Sequence, residues 1–285
     1  MTLAFVTSST HRALDADLPL LEAAAAERGT TAEIVVWDDP GVDWTAYDAV
    51  VVRSCWDYTA RREEFLAWAA RVPRLHNAPA ILAWNTDKVY LRQLREAGVP
   101  IIETRWDVGA SDDIGEHAEW VVKPTISSGS KDTARWGTRE EVWAHSAALV
   151  LAGRTSMTQP YIASVDDEGE TAMLYFAGTF SHAIRKGPLL ERGEGVRQDR
   201  DSRESITPRI PTAAQLEVSE RVLAATASLL NLDAPPLYAR IDLVTAPDGS
   251  PILIELELTE PSLFLPESDG GAGRLVDAVL DRAGA

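Results

Sequence analysis

The first 84 residues alternate short apolar runs with longer amphipathic stretches. LAFVTSS, AEIVVW and DAVVVRS are typical of buried strands. Apolar residues at helical spacing fill residues 14–28, just before Gly29, and residues 63–70. Because alternating strands and helices favour a parallel sheet with helices on both faces, the pattern predicts an N-terminal doubly wound α/β domain.

The pattern changes to that of an α+β protein in residues 85–285. Strands are predicted at EWVVKP and TSMTQPYI, and GETAMLYFAG with TFSHAIRK forms a predicted antiparallel pair. A helix is expected to run to Ala97 with Asn85 or Thr86 as its N-cap. Further helices are predicted at residues 138–151, 215–230 and 273–282.

The C-terminal stretch LYARIDLVTAPDGSPILIELELTEPSLF, residues 237–264, contains a predicted hairpin. Asp248 and Gly249 suit the positive φ angles of a two-residue turn, which would pair Pro247 with Ser250. Alternation with period two then sends these apolar residues to a core face: Ala239, Ile241, Leu243, Ile252, Ile254, Leu256 and Leu258.

The opposite face of this hairpin carries charge. The predicted register places Asp242 opposite Glu255 and Arg240 opposite Glu257. Because facing like charges destabilise a sheet, the first pair requires a compensating cation. A hard divalent metal with oxygen ligands, Mg2+ first, is the expected one. The alternative is an amphipathic hairpin whose polar face meets only water.

Composition limits the classes of partner. The 285 residues include 44 acidic and 27 basic ones, which gives a net charge of −17. A field of that sign disfavours nucleic-acid and anionic-membrane partners, so any anionic substrate needs a local basic pocket. No stretch approaches the ~18 apolar residues that span a bilayer. The single Cys55 excludes an internal disulfide and fits a reducing compartment, so we expect a cytoplasmic protein.

Polar and aromatic residues directly follow the third predicted strand: Arg53, Ser54, Trp56, Asp57 and Tyr58. Ligands of doubly wound sheets lie beyond the carboxyl ends of the strands, so we expect these residues to bind the acceptor substrate. They supply a guanidinium for a carboxylate, an acid for an amino or ureido group, and aromatic walls. The alternative is that Trp56 and Tyr58 pack against the next domain.

Basic residues are candidates for the anion pocket. Lys88 lies in a predicted first helical turn, where a positive charge is unfavourable for the helix dipole. Lys123 precedes the Ser/Gly loop TISSGSKD, whose N–H groups and hydroxyls suit phosphate oxygens. Arg185 and Lys186 end a predicted strand, and Arg197 lies in GEGVRQDRDSRES, a charged segment predicted to be a loop. The alternatives are solvated side chains and an ordinary turn.

In chain order, VVRSCWDY, WNTDK, VVKP, QPYI, FSHAIRK and ELELTEPS resemble the motifs of ATP-grasp ligases of the glutathione-synthetase-like group. Within that group they are similar to the subgroup of the O-ureido-serine cyclo-ligase of cycloserine biosynthesis. The resemblance covers essentially the whole chain. It implies a pre-ATP-grasp domain over residues 1–84 and a two-lobed ATP-grasp domain over residues 85–285, with a lid subdomain at about 107–160. Glu257 departs from the pattern, because the family usually has Asn there.

The resemblance also implies roles for individual residues. It assigns ATP binding to two lysines, the Ser/Gly loop, the strand end that borders the adenine, and a basic strand end: Lys88, Lys123, Ser127, Ser128, Gly129, Ser130, Gln159, Pro160, Tyr161, Ile162 and Lys186. Glu168 or Glu170 would hold the ribose. Three carboxylates would bind Mg2+: Asp242, Glu255 and Glu257. Arg185 and Arg240 would steady the phosphoryl group and the acyl phosphate, and Arg197 is a candidate substrate contact.

The implied activity is an ATP- and Mg-dependent ligation. A small amino-acid-like carboxylate would be activated as an acyl phosphate, and a nitrogen would then displace phosphate to form an amide or cyclic amide-like bond. Two alternatives stay open: an ATP-grasp kinase that stops after phosphoryl transfer, and an ATP-binding module without turnover. The identity of the substrates and the existence of a homo-oligomer also stay open.

Overall fold

The computed structural model describes residues 1–198 and 205–284. The elements of its N-terminal part are β1 Thr2–Thr7, α1 Asp17–Glu27, β2 Thr31–Val36, β3 Ala49–Val52, α2 Arg62–Ala69, β4 Leu75–His76 and α3 Pro79–Asn85. The four strands form a parallel sheet in the order β2-β1-β3-β4. The predicted strands and helices of this part are confirmed, whereas β4 and α3 are additional to the prediction.

Helices cover both faces of this sheet, as predicted for a doubly wound arrangement. On one face α1 and the C-terminal helix α8, Gly271–Ala283, pack around Phe5 and Val51. On the other face α2 packs through Phe65 and Trp68. Because α8 comes from the far end of the chain, the first sheet is covered only with the help of C-terminal residues.

The second sheet has five antiparallel strands: β9 Glu170–Phe176, β10 Thr179–Lys186, β11 Ile206–Arg209, β12 Tyr238–Thr245 and β13 Pro251–Glu257. Their order is β11-β10-β9-β12-β13. Two helices, α4 Tyr90–Glu96 and α7 Ala213–Leu229, pack on one face around Ile241 and Leu256. The predicted antiparallel pair β9-β10 and the C-terminal hairpin are confirmed. The charged segment predicted to be a loop falls partly on 199–204, outside the described residues.

The third sheet lies in the stretch predicted to form the lid. Its elements are β5 Arg105–Trp106, β6 Trp120–Pro124, β7 Ala134–Trp136, α5 Arg139–Leu151 and β8 Ser156–Pro160, with strand order β5-β8-β6-β7. Thr138 begins α5 with a capping box, since it accepts a hydrogen bond from the Glu141 N–H and Glu141 bonds back to the Thr138 N–H. The short helix α6, Ser164–Glu168, connects this sheet to the second one. Among the described helices, none has the length and apolar content needed to cross a bilayer.

The hairpin register is confirmed at its charged end and wrong near its turn. Asp242 faces Glu255 as predicted, and a β-bulge beyond this pair shifts the register by one residue. A bulge inserts one unpaired residue and so reverses the alternation of faces. Leu253 is therefore buried in the core, while Ile252 and Ile254 pack in a smaller cluster on the other face.

Candidate active site

One cavity of about 210 Å³ is lined by residues of the second and third sheets and by Trp56 and Tyr58, which follow β3 of the first sheet. The predicted site residues that line it are Trp56, Tyr58, Lys88, Lys123, Ser127, Ser128, Gly129, Ser130, Gln159, Pro160, Tyr161, Ile162, Glu170, Lys186, Arg240, Glu255 and Glu257. The structure places seven other predicted residues outside this lining: Arg53, Ser54, Asp57, Glu168, Arg185, Arg197 and Asp242. The fold thus gathers segments that are up to about 200 residues apart in sequence.

Lys88 reaches the cavity from the link between α3 and α4, and not from the first turn of a helix. Its backbone N–H donates to the Thr125 carbonyl at 3.0 Å, and its Nζ donates to the Ser127 carbonyl at 2.8 Å. The same ammonium lies 3.1 Å from Glu255 Oε1. The predicted N-cap is wrong because Asn85 ends α3 instead of beginning α4.

Asn85 and Tyr90 hold the outer edge of β13 in place. The Asn85 side chain donates to the Leu256 carbonyl at 2.8 Å and accepts from the Leu258 N–H at 2.7 Å. The Tyr90 hydroxyl donates to the Leu256 carbonyl and accepts from its N–H, at 2.8 and 2.9 Å. These side chains satisfy backbone groups that an edge strand leaves unpaired, and they fix the position from which Glu255 projects.

Lys123 on β6 is a buried ammonium that faces the cavity. The residue is 9% exposed, and burial lowers the pKa of its side chain while Glu255 raises it. Among the described residues, no acceptor lies within hydrogen-bonding distance of its Nζ. Because a buried charge without a partner is costly, an anionic ligand would stabilise this ammonium group.

The Ser/Gly loop after β6 lies against both the first domain and the segment after β10. Gly129 and Ser130 have φ angles of +60° and +59°, and the Ser128 hydroxyl donates to the Trp56 carbonyl at 3.4 Å. Further along, the Arg197 N–H donates to the Thr133 carbonyl at 3.0 Å. Arg197 itself is buried and its guanidinium donates to the Leu189 carbonyl, so it joins two loops instead of lining the cavity.

The chain's own cations neutralise the hairpin carboxylates. Arg240 and Lys186 donate to Asp242 at 2.9 and 3.0 Å. Arg240 also donates to Glu257, and Lys88 is paired with Glu255. The facing acids are therefore compensated by cations of the chain where a metal ion was expected, and the Mg2+ site stays a prediction.

The pKa values of these carboxyls follow from burial and from these pairs. Burial raises the pKa of Asp242, but Arg240 and Lys186 more than offset it and leave the pKa lowered. Burial likewise raises the pKa of Glu255, and the neighbouring lysines bring it below its usual value. For Glu257, burial outweighs Arg240 and raises the pKa to about 6.

A metal fits this site only together with other oxygen ligands. Among the described residues, no three His, Cys, Asp or Glu side chains stand close enough together to hold a metal ion. Mg2+ is commonly bound by one or two carboxylates together with substrate phosphates and water. Glu255 and Glu257 line the cavity and offer such oxygens, whereas Asp242 is 1% exposed and lies beneath the lining.

Lys186 and Arg185 lie on opposite faces of β10. Successive residues of a strand point to opposite sides of the sheet, so the two cannot both face the cavity. Lys186 lines it and donates to Glu170 at 2.8 Å. Arg185 donates to the carbonyls of Asp167 and Glu168 at 3.0 and 2.8 Å, at the end of α6. The predicted placement of Arg185 at the reacting group is wrong.

The two glutamates considered for the ribose are also separated. Glu170 lines the cavity beside Lys186. Glu168 accepts a hydrogen bond from the Thr245 hydroxyl at 2.6 Å, outside the cavity. Gln159 also lines the cavity and is buried, and its side chain donates to the Thr104 hydroxyl at 2.9 Å. The geometry therefore favours Glu170.

Arg53 is buried between the first domain and the C-terminal segment. It is 1% exposed, donates to the Pro261 carbonyl at 2.6 Å, and lies 3.4 Å from Asp17 Oδ2. Asp17 also accepts from the N–H groups of Leu263 and Leu265 at 2.7 and 2.8 Å. Arg53 is thus an interdomain residue, and its predicted contact with the substrate carboxylate is wrong.

The other two polar residues of this predicted group are engaged elsewhere. The Ser54 hydroxyl lies 2.7 Å from that of Thr7 and is fully buried. Asp57 accepts from the Trp37 indole at 3.2 Å and lies 3.6 Å from Arg61. Only the two aromatic members of the group reach the cavity.

Sequence reasoning missed Glu260, which lines the cavity three residues beyond Glu257. The residue is 7% exposed, and burial together with Glu257 raises its pKa to about 8. Ser262 and Phe264, from the same segment, also reach the cavity. The signal in the sequence was a third acidic residue in ELELTEPS.

The chain is similar to known proteins along its whole length. Residues 3–77 match the family model described as D-cycloserine synthetase DcsG, N-terminal domain. The cycloserine biosynthesis protein DcsG of Streptomyces lavendulae is 39% identical over an aligned length of 302, gaps included, and the alignment covers 98% of this chain and 98% of that protein.

Solved structures give the same picture. The crystal structure of the D-cycloserine synthetase DcsG superposes with a TM-score of 0.90 at 38% identity, over 99% of this chain and 100% of that one. The ATP-grasp ligase PsnB, in complex with a minimal precursor, superposes with a TM-score of 0.66 at 17% identity, over 98% of each chain. The second likeness is one of fold alone.

Proposed function

Since the chain belongs to the D-cycloserine synthetase family and has the ATP-grasp fold, we propose that it closes the ring of an O-ureido-serine-like amino acid. It is an ATP-dependent ligase that forms a carbon–nitrogen bond. In the proposed reaction the substrate carboxylate attacks the γ-phosphorus of ATP, which gives an acyl phosphate and ADP. A nitrogen of the same molecule then attacks the acyl carbon and phosphate leaves.

The buried ammonium of Lys123 carries this proposal. It faces the cavity without an acceptor among the described residues, and Lys88 and Lys186 line the same cavity. Ammonium groups form charge-assisted hydrogen bonds with phosphate oxygens, so three lysines around one cavity suit a polyphosphate. The backbone at Gly129 and Ser130 borders the lysines and suits the phosphate oxygens.

The remaining roles in the ATP half of the site follow from position. We assign Glu170 to the ribose because it lines the cavity, and the strand end 159–162 to the adenine. Glu255 and Glu257 would hold Mg2+, with Asp242 joining them when Lys186 turns to phosphate. Bound there, the metal would supply positive charge that stabilises the negative charge on the transferred phosphoryl group.

The acceptor half of the site is formed by Arg240 and the aromatic residues of the first domain. Arg240 lines the cavity and is held by Asp242, Glu257 and the Ser262 carbonyl, the last at 3.2 Å. A guanidinium held in this way suits the carboxylate and the acyl phosphate that it becomes. The Phe264 ring lies 5.5 Å from the Arg240 guanidinium, and Trp56 lines the same cavity.

Separate measurements of ADP and phosphate test the proposed reaction. With ATP, Mg2+ and either enantiomer of O-ureido-serine, we expect equal release of both, together with a cyclic product detected by mass spectrometry. ADP without phosphate, with a phosphorylated compound, would identify a kinase. Release of neither would leave an ATP-binding module.

Two lysine variants test the nucleotide site. Lys123→Met is expected to weaken ATP binding by about 10-fold or more, because a charge-assisted contact contributes roughly 1.5–3 kcal/mol. Lys131 is exposed and does not line the cavity, so Lys131→Met serves as the matched control. Equal ATP affinity of the two variants in calorimetry would return Lys123 to a structural role.

We propose that the protein is cytoplasmic. The free, buried Cys55 and the net charge of −17 support this assignment. We also propose the domain division at residue 84, with the addition that α8 packs on the first domain.

A further inference from the structure

Glu260 lies in a segment whose backbone is fixed on both sides. The Trp56 indole N–H donates to its carbonyl at 2.9 Å, and the Tyr238 hydroxyl donates to the Thr259 carbonyl at 2.8 Å. On the other side Arg53 donates to the Pro261 carbonyl at 2.6 Å. The Glu260 side chain is therefore presented to the cavity from a rigid support.

The carboxylate of Glu260 differs from the other acids that line the cavity. Glu170, Glu255 and Glu257 are each paired with a lysine or arginine of the chain. Within residues 1–198 and 205–284, no group donates a hydrogen bond to the Glu260 carboxylate, and no cation lies within ion-pair distance of it. Lys88 and Arg240 lower its pKa from farther away, but burial and Glu257 outweigh them.

The surroundings of this carboxylate are aromatic. Trp56 and Tyr58 line the same cavity and are 9% and 4% exposed. Aromatic faces attract cations, but they offer no oxygen ligands to a hard metal ion such as Mg2+. An unpaired carboxyl beside aromatic walls is therefore suited to an organic cation, whose positive charge would offset the burial that raises the pKa of Glu260 and would favour the ionised form.

We propose that Glu260, with Trp56 and Tyr58, forms the subsite for the α-ammonium group of the amino-acid substrate. This inference rests on the proposed function, because it takes the substrate to be an amino acid activated at its carboxylate. Arg240 then meets the carboxylate, while Glu260 meets the ammonium group. The two charged ends of the substrate are thus fixed by groups of opposite sign, and a compound without the amino group is rejected.

Binding of O-ureido-serine and of its analogue without the α-amino group tests this assignment. Dissociation constants are measured by calorimetry with Mg2+ and a non-hydrolysable ATP analogue bound. For the unaltered protein we expect the dissociation constant of the amino compound to be lower than that of the analogue by about 10-fold or more, because a charged hydrogen bond contributes this much. In Glu260→Gln this preference is expected to disappear, while affinities for the ATP analogue and for Mg2+ stay the same. Glu267, an exposed acid of the following turn, provides the control Glu267→Gln, which is expected to keep the preference.

The outcomes separate the inference from the proposed function. If the amino compound binds with this preference but is not turned over, the proposed reaction is refuted and the proposed subsite stands. If the unaltered protein turns over O-ureido-serine and Glu260→Gln keeps the same preference for the amino compound, the proposed subsite is refuted and the proposed reaction stands. A changed Mg2+ requirement in Glu260→Gln would instead make Glu260 a metal ligand. If that variant does not fold, equal binding of the two compounds to the unaltered protein would by itself overturn the inference.

Discussion

Replacing Arg53 by alanine distinguishes an interdomain role from a role in substrate binding. The structure assigns Arg53 to a buried pair with Asp17, in which the two side chains are 1% and 4% exposed. Removing one partner of a buried ion pair costs about 3–5 kcal/mol, because the other charge stays buried. Asp17 keeps two backbone donors from the 263–265 segment, which favours the lower end of this range.

The expected loss in Arg53→Ala is therefore about 3 kcal/mol of unfolding free energy. For a chain of this size the melting temperature is expected to fall by about 6–12 °C. Urea and thermal unfolding measure the loss, and Arg71→Ala is the control because Arg71 is exposed. Arg53→Lys is expected to recover only part of the stability, since an ammonium lacks the planar fork of a guanidinium.

The pH dependence of the loss provides a second check. Burial raises the pKa of Asp17, and Arg53 lowers it, so removal of Arg53 raises it further. A carboxyl whose pKa is raised in the folded state takes up its proton before the unfolded chain does, and this stabilises the fold as the pH falls. The deficit of Arg53→Ala is thus expected to shrink in mild acid. An unchanged melting temperature with a 10-fold rise in substrate KM would refute the interdomain role.

Three further predictions concern the remaining assignments. Lys186→Met is expected to weaken ATP binding by about 10-fold, whereas Arg185→Met changes it by less than about twofold; equal losses in calorimetry would contradict the assignment of strand faces. Glu170→Ala is expected to lower the affinity for ATP but not for 2′,3′-dideoxy-ATP, and Glu168→Ala to change neither; the reverse result would move the ribose contact to Glu168. Burial lowers the pKa of His182 to about 4, so the unfolded chain is protonated first and unfolding free energy is expected to fall by about 3 kcal/mol from pH 6.5 to 4. Urea titration of His182→Gln is expected to show a smaller decrease in unfolding free energy over this pH range. A decrease equal to that of the unaltered protein would contradict the prediction.

Regular periodicity was sufficient to predict most strands and helices of this chain. The run AMLYF in β9 is apolar and buried throughout, and the buried residues of α5 recur at helical spacing from Val142 to Leu149. By contrast β4 and β5 have two residues each, too few to show any period. Such strands exist because neighbouring strands offer backbone partners, and this is information that local sequence does not carry.

The candidate site was predicted only in part, because several of its contacts also depend on residues far away in the sequence. The predicted pairing of Asp242 with Glu255 depends on the turn signal at Asp248 and Gly249, whereas the bulge at Ile254 has no local signal in PILIELE. The burial of Arg53 depends on Asp17 and Pro261, the second of which is 208 residues away. Alternation alone would have separated Arg185 from Lys186, because neighbours in a strand face opposite ways.

In the proposed nucleotide site, the pairing of Lys88 with Glu255 makes ATP binding a competition between two anions for one ammonium group. Lys88 must leave its carboxylate before it meets a phosphate oxygen, and the carboxylate that it leaves becomes free for a cation that arrives with the nucleotide. Affinities that share such a group are thermodynamically coupled, and the coupling is reciprocal. Glu255→Gln removes this competition. ATP without metal is therefore expected to bind more tightly to the variant than to the unaltered protein. The increase in ATP affinity that Mg2+ produces is expected to be smaller in the variant.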